Sequence, residues 1–131
     1  MAVQEFVSPT SLSEAQRVVG DGAASSWLAG GTDLLVGIRL GARDPARVID
    51  LKKIPELTAI EIDETAVRIG AAASAFDILH NSDVPSEFPG LAEALNLIGS
   101  TQITGRCSAG GNLCNASPAA DSIPALIANG A

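Results

Sequence analysis

Two glycine pairs, each set among small hydroxyl and amide side chains, are the residues whose types and spacing bear on chemistry. Ala-Gly-Gly occurs as Ala29-Gly30-Gly31 ahead of Thr32 and Asp33, and again as Ala109-Gly110-Gly111 between Ser108 and Asn112. Glycine brings a backbone close to an anion and adopts positive φ freely, so consecutive N–H groups can converge on one cluster of oxygens. Thr32, Ser108 and Asn112 add side-chain donors. At the first pair, a helix beginning near Thr32 would also present its positive end. A Gly-Gly pair on its own usually only reverses a chain, and that reading stays open beside the anion-binding one.

Other chemistry is thinly represented. There is no G-x-x-x-x-G-K-[ST] run and no lysine in the ten residues after either pair, which argues against a nucleoside-triphosphate loop. "GDGAAS" (20–25) imitates the start of a dinucleotide fingerprint but follows a helix pattern, so it reads as a helix stop. Cys107 and Cys114 lack a neighbouring His and do not have zinc or iron-sulfur spacing. They read as two small thiols near a loop in a reducing compartment. His80 has no marked partner and the acids are dispersed, so neither a triad nor a paired-carboxylate site is evident. Chemistry in such a chain would have to be carried by a cofactor. Asp121, in "SPAADSIPAL", reads either as a helix cap or as an acceptor for a ligand hydroxyl.

Composition narrows the class. The 131 residues are 47% hydrophobic, enough for one domain or two small lobes. Net charge is −7 and the basic residues are scattered, so no basic field attracts a polyanion. Aromatics are 3%, which leaves few platforms for stacking bases and argues against nucleic-acid binding. "MAVQEFVSPT" has no leader character and no apolar run approaches the roughly 18 residues of a spanning helix, so a soluble, cytoplasmic protein is expected.

The elements that must position the glycine pairs follow from caps and periodicity. Ser11 with Glu14 forms a capping box, and Gly20 and Gly22 follow, predicting a helix over 12–19. "SSWLA" (25–29) reads as a strand entering the first glycine pair. "TDLLVGIRLG" reads as a helix with Leu34, Leu35 and Ile38 on its apolar face, and "ARVIDL" (46–51) as a buried strand. "LTAIEID" and "AVRIGAAAS" alternate as paired strands. "AFDILHN" predicts a short helix, "SDVPSEFPG" a loop, and "LAEALNLIG" a helix presenting Leu91, Leu95 and Ile98. Residues 100–121 show little regular pattern, as a functional or flexible loop would, before a last helix in "SIPALIANG". The order indicates a mixed α/β or α+β domain rather than a full doubly wound sheet. The end at "ANGA" is expected either to lack a final strand or to belong to something longer.

"WLAGGTDLLVGIRLG", "RVIDLKKIPELTAI", "VRIGAAAS" and "GRCSAGGNLCNASPAADSIPALIANGA", in that order along nearly the whole chain, resemble the FAD-binding medium subunit or domain of the molybdenum hydroxylases. These are the xanthine, aldehyde and carbon monoxide dehydrogenases. The resemblance implies an α+β fold of the PCMH/vanillyl-alcohol-oxidase type. Its two small lobes, 1–55 and 56–131, would have FAD stretched between them, the second lobe being incomplete. It implies that Leu28, Ala29, Gly30, Gly31, Thr32, Asp33 and Leu34 cradle the pyrophosphate. Ser108, Ala109, Gly110, Gly111 and Asn112 would form a second clamp, Ile98 an apolar contact to the cofactor, and Asp121 a contact to the flavin part. It further implies a heteromer with a molybdopterin-containing large subunit and a 2Fe-2S small subunit, in which electrons pass through the flavin to NAD or another acceptor. The alternative expectation is a truncated, non-catalytic assembly module that has lost tight flavin binding.

Overall fold

The computed structural model describes residues 3–20 and 22–131. Met1, Ala2 and Asp21, which belong to the N-terminal stretch and the "GDGAAS" run discussed above, lie outside the described residues.

The first part of the chain is a β-α-β-α-β unit. Strand β1 (Glu5–Val7) is followed by helix α1 (Leu12–Val19), β2 (Ser25–Leu28), α2 (Leu34–Arg39) and β3 (Arg47–Asp50). The three strands are parallel in the order β1-β3-β2, with Val7 and Trp27 both in register with Ile49. The central strand is the apolar one: Val48 is 2% exposed and Ile49 fully buried. A central parallel strand is covered on both faces, and this continuous apolar pair meets that demand. Arg47 fastens the unit at one end, its guanidinium donating to Glu5 on β1 and to the Val18 carbonyl at the end of α1.

Helix α1 starts and stops where its caps predict. The Ser11 hydroxyl accepts the Glu14 N–H at 3.2 Å. The return arm differs from the expected capping box, because the Glu14 carboxylate reaches one residue further back and accepts the Thr10 N–H at 2.8 Å. The Thr10 hydrogen bonds hold the Glu14 carboxyl below its ordinary range. Their stabilisation is therefore present above the normal carboxylate pKa and lost as acid protonates Glu14. Helix α2 begins at Leu34, two residues later than "TDLLVG" suggests, because Thr32 and Asp33 are spent on the turn. Leu34 and Ile38 face the first core with Val48, while Leu35 stands 53% exposed instead of joining the inward face.

The second part is a hairpin followed by helices. A single turn, α3 (Pro55–Thr58), precedes the antiparallel pair β4 (Ile60–Ile62) and β5 (Val67–Ile69). The helices are α4 (Ala75–Leu79), α5 (Val84–Glu87), α6 (Pro89–Leu97), α7 (Thr101–Thr104), α8 (Ala109–Asn115) and α9 (Ser122–Ala128). Their core gathers Ala75, Ile78, Val84, Leu91, Leu95, Cys107 and Ala109, with Ile98 packed against its edge.

Four stretches depart from expectation. "SDVPSEFPG" is two helix starts rather than a loop, since both prolines occupy first-turn positions where a missing N–H costs nothing. The Asn81 side chain caps the first of them by accepting the N–H groups of Asp83 and Val84. Residues 100–121 contain α7 and α8, so the second Ala-Gly-Gly is the opening turn of a helix and not a chain reversal. Strand β1 and the turn α3 carry too few residues for periodicity to show them.

Removing the α1 cap by Ser11→Ala is expected to destabilise the chain by about 1 kcal/mol. The measurement is urea unfolding, with a lower midpoint at unchanged slope.

Candidate functional site

Between the two cores runs a cleft of about 920 Å³. Twelve of the fourteen residues singled out in the sequence line it: Ala29, Gly30, Gly31, Thr32, Asp33 and Leu34 from the first segment, Ser108, Gly110, Gly111 and Asn112 from the second, and Ile98 and Asp121. The other two, Leu28 and Ala109, do not reach the cleft and are buried behind it in the two cores. The sequence separation between the Ala-Gly-Gly segments is closed by the fold. A Cβ built on Gly111 would stand 3.7 Å from the Ala29 Cβ.

Close packing explains most of the glycines. A Cβ on Gly30 would lie 1.9 Å from the Arg106 carbonyl oxygen and 2.8 Å from the Cys107 Cα. One on Gly110 would lie 2.5 Å from the Ala71 carbonyl oxygen. Gly31 has φ of +82°, which L side chains rarely adopt, and a Cβ there would also strike Leu28. Gly30 and Gly110 are thus required by the apposition of backbones, and Gly31 by its positive φ, whatever lies in the cleft.

The argument for a ligand rests instead on the amides. Among the described residues, the N–H groups of Gly30, Gly31, Thr32 and Asp33 donate to no acceptor in the protein. The Leu35 N–H donates to the Gly31 carbonyl, so the Thr32 and Asp33 amides are the partnerless donors of a helix's opening turn, and Gly30 and Gly31 extend that run backward. The Thr32 hydroxyl beside them is equally uncommitted.

This run is held from behind by Lys52. Its ammonium donates to the Ala29 carbonyl at 3.0 Å and to Asp50 Oδ1 at 2.6 Å. Sequence reasoning passed over Lys52 because it sought a lysine just after the glycine pair; this one reaches back from the end of the neighbouring parallel strand. Helix α2 has only six residues, so the exposed amides, more than any macrodipole, make this turn attractive to an anion.

The second segment is not a copy of the first. Ser108 is 3% exposed and its hydroxyl accepts the Gly111 N–H at 3.0 Å, while the Asn112 N–H goes to the Ser108 carbonyl. That leaves the Gly110 N–H without a protein acceptor among the described residues. Asn112 commits its Oδ1 to the hydroxyl of fully buried Ser122 at 2.9 Å, so its amino group is the free end. The same bond ties the start of α9 to α8 and sets Asp121 at the cleft wall. Asp121 occupies the N-cap position yet makes no capping bond, so its carboxylate accepts no hydrogen bond among the described residues.

Both thiols are free, and both line the cleft. Cys107 is buried and Cys114 exposed. Burial pushes the Cys107 thiol pKa up, which keeps it protonated. Among the described residues no group of three or more His, Cys, Asp or Glu is placed to hold a metal ion. No helix there is long and apolar enough to cross a membrane.

Residues 2–131 match the family described as the FAD binding domain in molybdopterin dehydrogenase. The chain belongs to this family. As a member of the molybdopterin dehydrogenase FAD-binding domain, it is similar to the carbon monoxide dehydrogenase medium chain of Hydrogenophaga pseudoflava, at 36% identity over 93% of this chain and 42% of that protein. It is similar to the nicotinate dehydrogenase FAD-subunit of Eubacterium barkeri at 34% identity, over 93% of this chain and 42% of that one. In three dimensions it superposes on carbon monoxide dehydrogenase from Hydrogenophaga pseudoflava with a TM-score of 0.81 at 34% identity, covering 86% of this chain and 39% of that one. On reconstituted CO dehydrogenase from Oligotropha carboxidovorans the TM-score is 0.87 at 25% identity, covering 92% and 43%. The chain therefore spans about two fifths of the length of the relatives it matches.

Gly30→Ala is expected to force the glycine turn away from the Arg106–Cys107 backbone at a cost on the order of 2 kcal/mol. Gly22→Ala has positive φ but nothing within 4 Å, so it tests backbone strain alone. Thermal unfolding should show a clearly larger loss at Gly30; equal losses would mean that the backbone apposition carries little of the stability.

Proposed function

We propose that the cleft binds FAD. Its diphosphate would be received by the amides of Gly30 to Asp33 and the Thr32 hydroxyl on one wall, and by the Gly110 amide and the Asn112 amino group on the other. The observation that carries this reading is the run of four unpaired amides in the wall of a cleft of about 920 Å³. Asp121, with an uncommitted carboxylate, would accept from a hydroxyl or ring N–H of the flavin half, and Ile98 would supply an apolar contact. Leu28 and Ala109 act from behind, by fixing the backbone of each segment against its core. In this reading the lobes are 1–55 and 56–131, with the cofactor between them. When bound, the flavin supplies the redox chemistry; the chain's own groups hold and orient it.

At the level of the complex, the chain is the N-terminal part of an electron-transfer subunit of a molybdenum-containing dehydrogenase. It would sit between a molybdopterin-containing large subunit with a 2Fe-2S small subunit and an acceptor such as NAD. Membership of the family and similarity to medium chains and FAD-subunits support this placement. Two free thiols suit a reducing cytoplasm.

The test uses Trp27, the single tryptophan, which is 49% exposed and lines the same cleft. Adding FAD to the purified chain is expected to quench Trp27 fluorescence saturably, and desalting should leave flavin absorbance with the protein. No quenching and no retained absorbance would remove the FAD reading for this chain. Co-purification with a molybdenum or iron-sulfur partner in the absence of flavin would then favour an assembly module.

A further inference from the structure

We propose that Arg43 is the cationic contact for the diphosphate, exchanging its present hydrogen bond to Asn115 for phosphoryl oxygens when the dinucleotide enters. The proposal rests on the FAD reading of the cleft and adds a residue outside both glycine segments.

Charge is the first reason. The charged residues lining the cleft are Asp33, Asp121 and Arg43, in a chain of net charge −7. A diphosphate brings two further negative charges beside two carboxylates. Backbone amides carry only partial charges, so the one full positive charge on the described wall falls to Arg43.

Position is the second reason. The Arg43 N–H donates to the Gly37 carbonyl at 3.1 Å, and the Ala42 N–H to the same oxygen at 2.9 Å. Gly37 lies one turn beyond Asp33 in α2, its own N–H donating to the Asp33 carbonyl at 2.8 Å. A Cβ on Gly37 would come within 3.2 Å of the Arg43 Cγ and Cδ. The side-chain stem therefore crosses α2 over the one residue there without a side chain. That gives a reason for a glycine inside a helix, where it is otherwise unfavourable. The guanidinium ends on the opposite wall, where Nη2 donates to Asn115 Oδ1 at 3.1 Å. Asn115 is one helical turn beyond Gly111 in α8. Arg43 thus spans the cleft between the two amide-bearing segments.

Capacity is the third reason. A guanidinium has five N–H donors in a fork that matches phosphate oxygens, and among the described residues one bond uses it. Its acceptor is a neutral amide. Replacing that acceptor with phosphate oxygens pairs the cation with an anion and lets the fork engage two oxygens at once, so the exchange runs toward the ligand.

The experiment measures FAD and ADP affinity by calorimetry for the chain and for Arg43→Gln, Arg43→Lys and Asn115→Ala, at two salt concentrations. Far-UV circular dichroism and thermal melts serve as folding controls. Arg43→Gln is expected to weaken both ligands by about ten- to a hundredfold and to flatten the salt dependence of binding. Arg43→Lys should lose part of that, and Asn115→Ala should leave affinity unchanged or tighter, because it frees the guanidinium. If Asn115→Ala weakens binding as much as Arg43→Gln does, the pair is only a strut between the walls and the proposal falls. Unchanged affinity and salt dependence in Arg43→Gln also overturns it, with the FAD reading intact. Binding of ADP but not FAD, with loss in Arg43→Gln, keeps the Arg43 contact and removes the flavin; binding of neither removes both.

Discussion

The backbone at Gly30 runs so close to the Arg106 carbonyl that only a hydrogen fits on its Cα, and the rest of the molecule is arranged around that approach. The parallel sheet exists upstream of it to deliver a strand end there: β2 stops at Leu28, and the chain turns at once against the segment that leads into α8. On the other side, the Cys107 carbonyl accepts the Ala75 N–H at 2.8 Å, and Ser74 pairs with Ser108 in an isolated antiparallel bridge. The segment that Gly30 touches is thereby anchored to the second core. A side chain at Gly30 would wedge the two cores apart, while a hydrogen lets them, neither large enough to be comfortable alone, share one boundary.

That boundary decides which amides are left over. The turn after β2 has neither a sheet partner nor a helix of its own until Leu34, so its donors reach Asp33 unpaired. The segment at 108–112 folds directly into a helix and consumes its own donors through the Ser108 cap. The same tripeptide therefore performs two different tasks, a donor surface in one place and a tightly packed helix start in the other. The distinction follows from the neighbours: Lys52 braces the first turn from outside the segment, whereas Ser108 closes the second from within.

Much of this was readable in the residues, and what was not has identifiable causes. The helix from Leu12, the strands around Trp27 and Val48 and the hairpin at 60–69 announce themselves by caps and alternation, which are local signals. Residues 100–121 do not, because their helices are single turns or are capped by a serine in a Gly- and Ser-rich run that also describes a loop. The prolines at 85 and 89 were informative in the opposite sense from their usual one, since position within a helix decides whether proline ends or begins it. For the site, residue types singled out positions that the fold gathers along one cleft. They could not show that Leu28 and Ala109 face the cores, nor that Lys52 and Arg43 reach the cleft and its glycine turn from elsewhere in the chain. Contacts between residues 23 or 72 positions apart leave no local pattern.

Packing accounts for Gly30 and Gly110 and positive φ for Gly31, and neither reason conflicts with a donor surface at the same place. A backbone stripped of side chains so that two cores can touch is also a backbone whose N–H groups are not shielded. Anion binding then requires only that the donors stay unpaired and that the field nearby be tolerable. In a chain this acidic the second condition is the harder one. Asp33 adjoins the donor run and Asp121 stands across from it. An anion held there by amides alone would face both carboxylates without a compensating full charge. The cation that resolves this cannot sit within the glycine turn itself, where a side chain would block the close approach at Gly30 or strain the positive φ at Gly31. It has to be brought in from outside, over a residue that leaves room for it, which is the path the Arg43 side chain takes across Gly37.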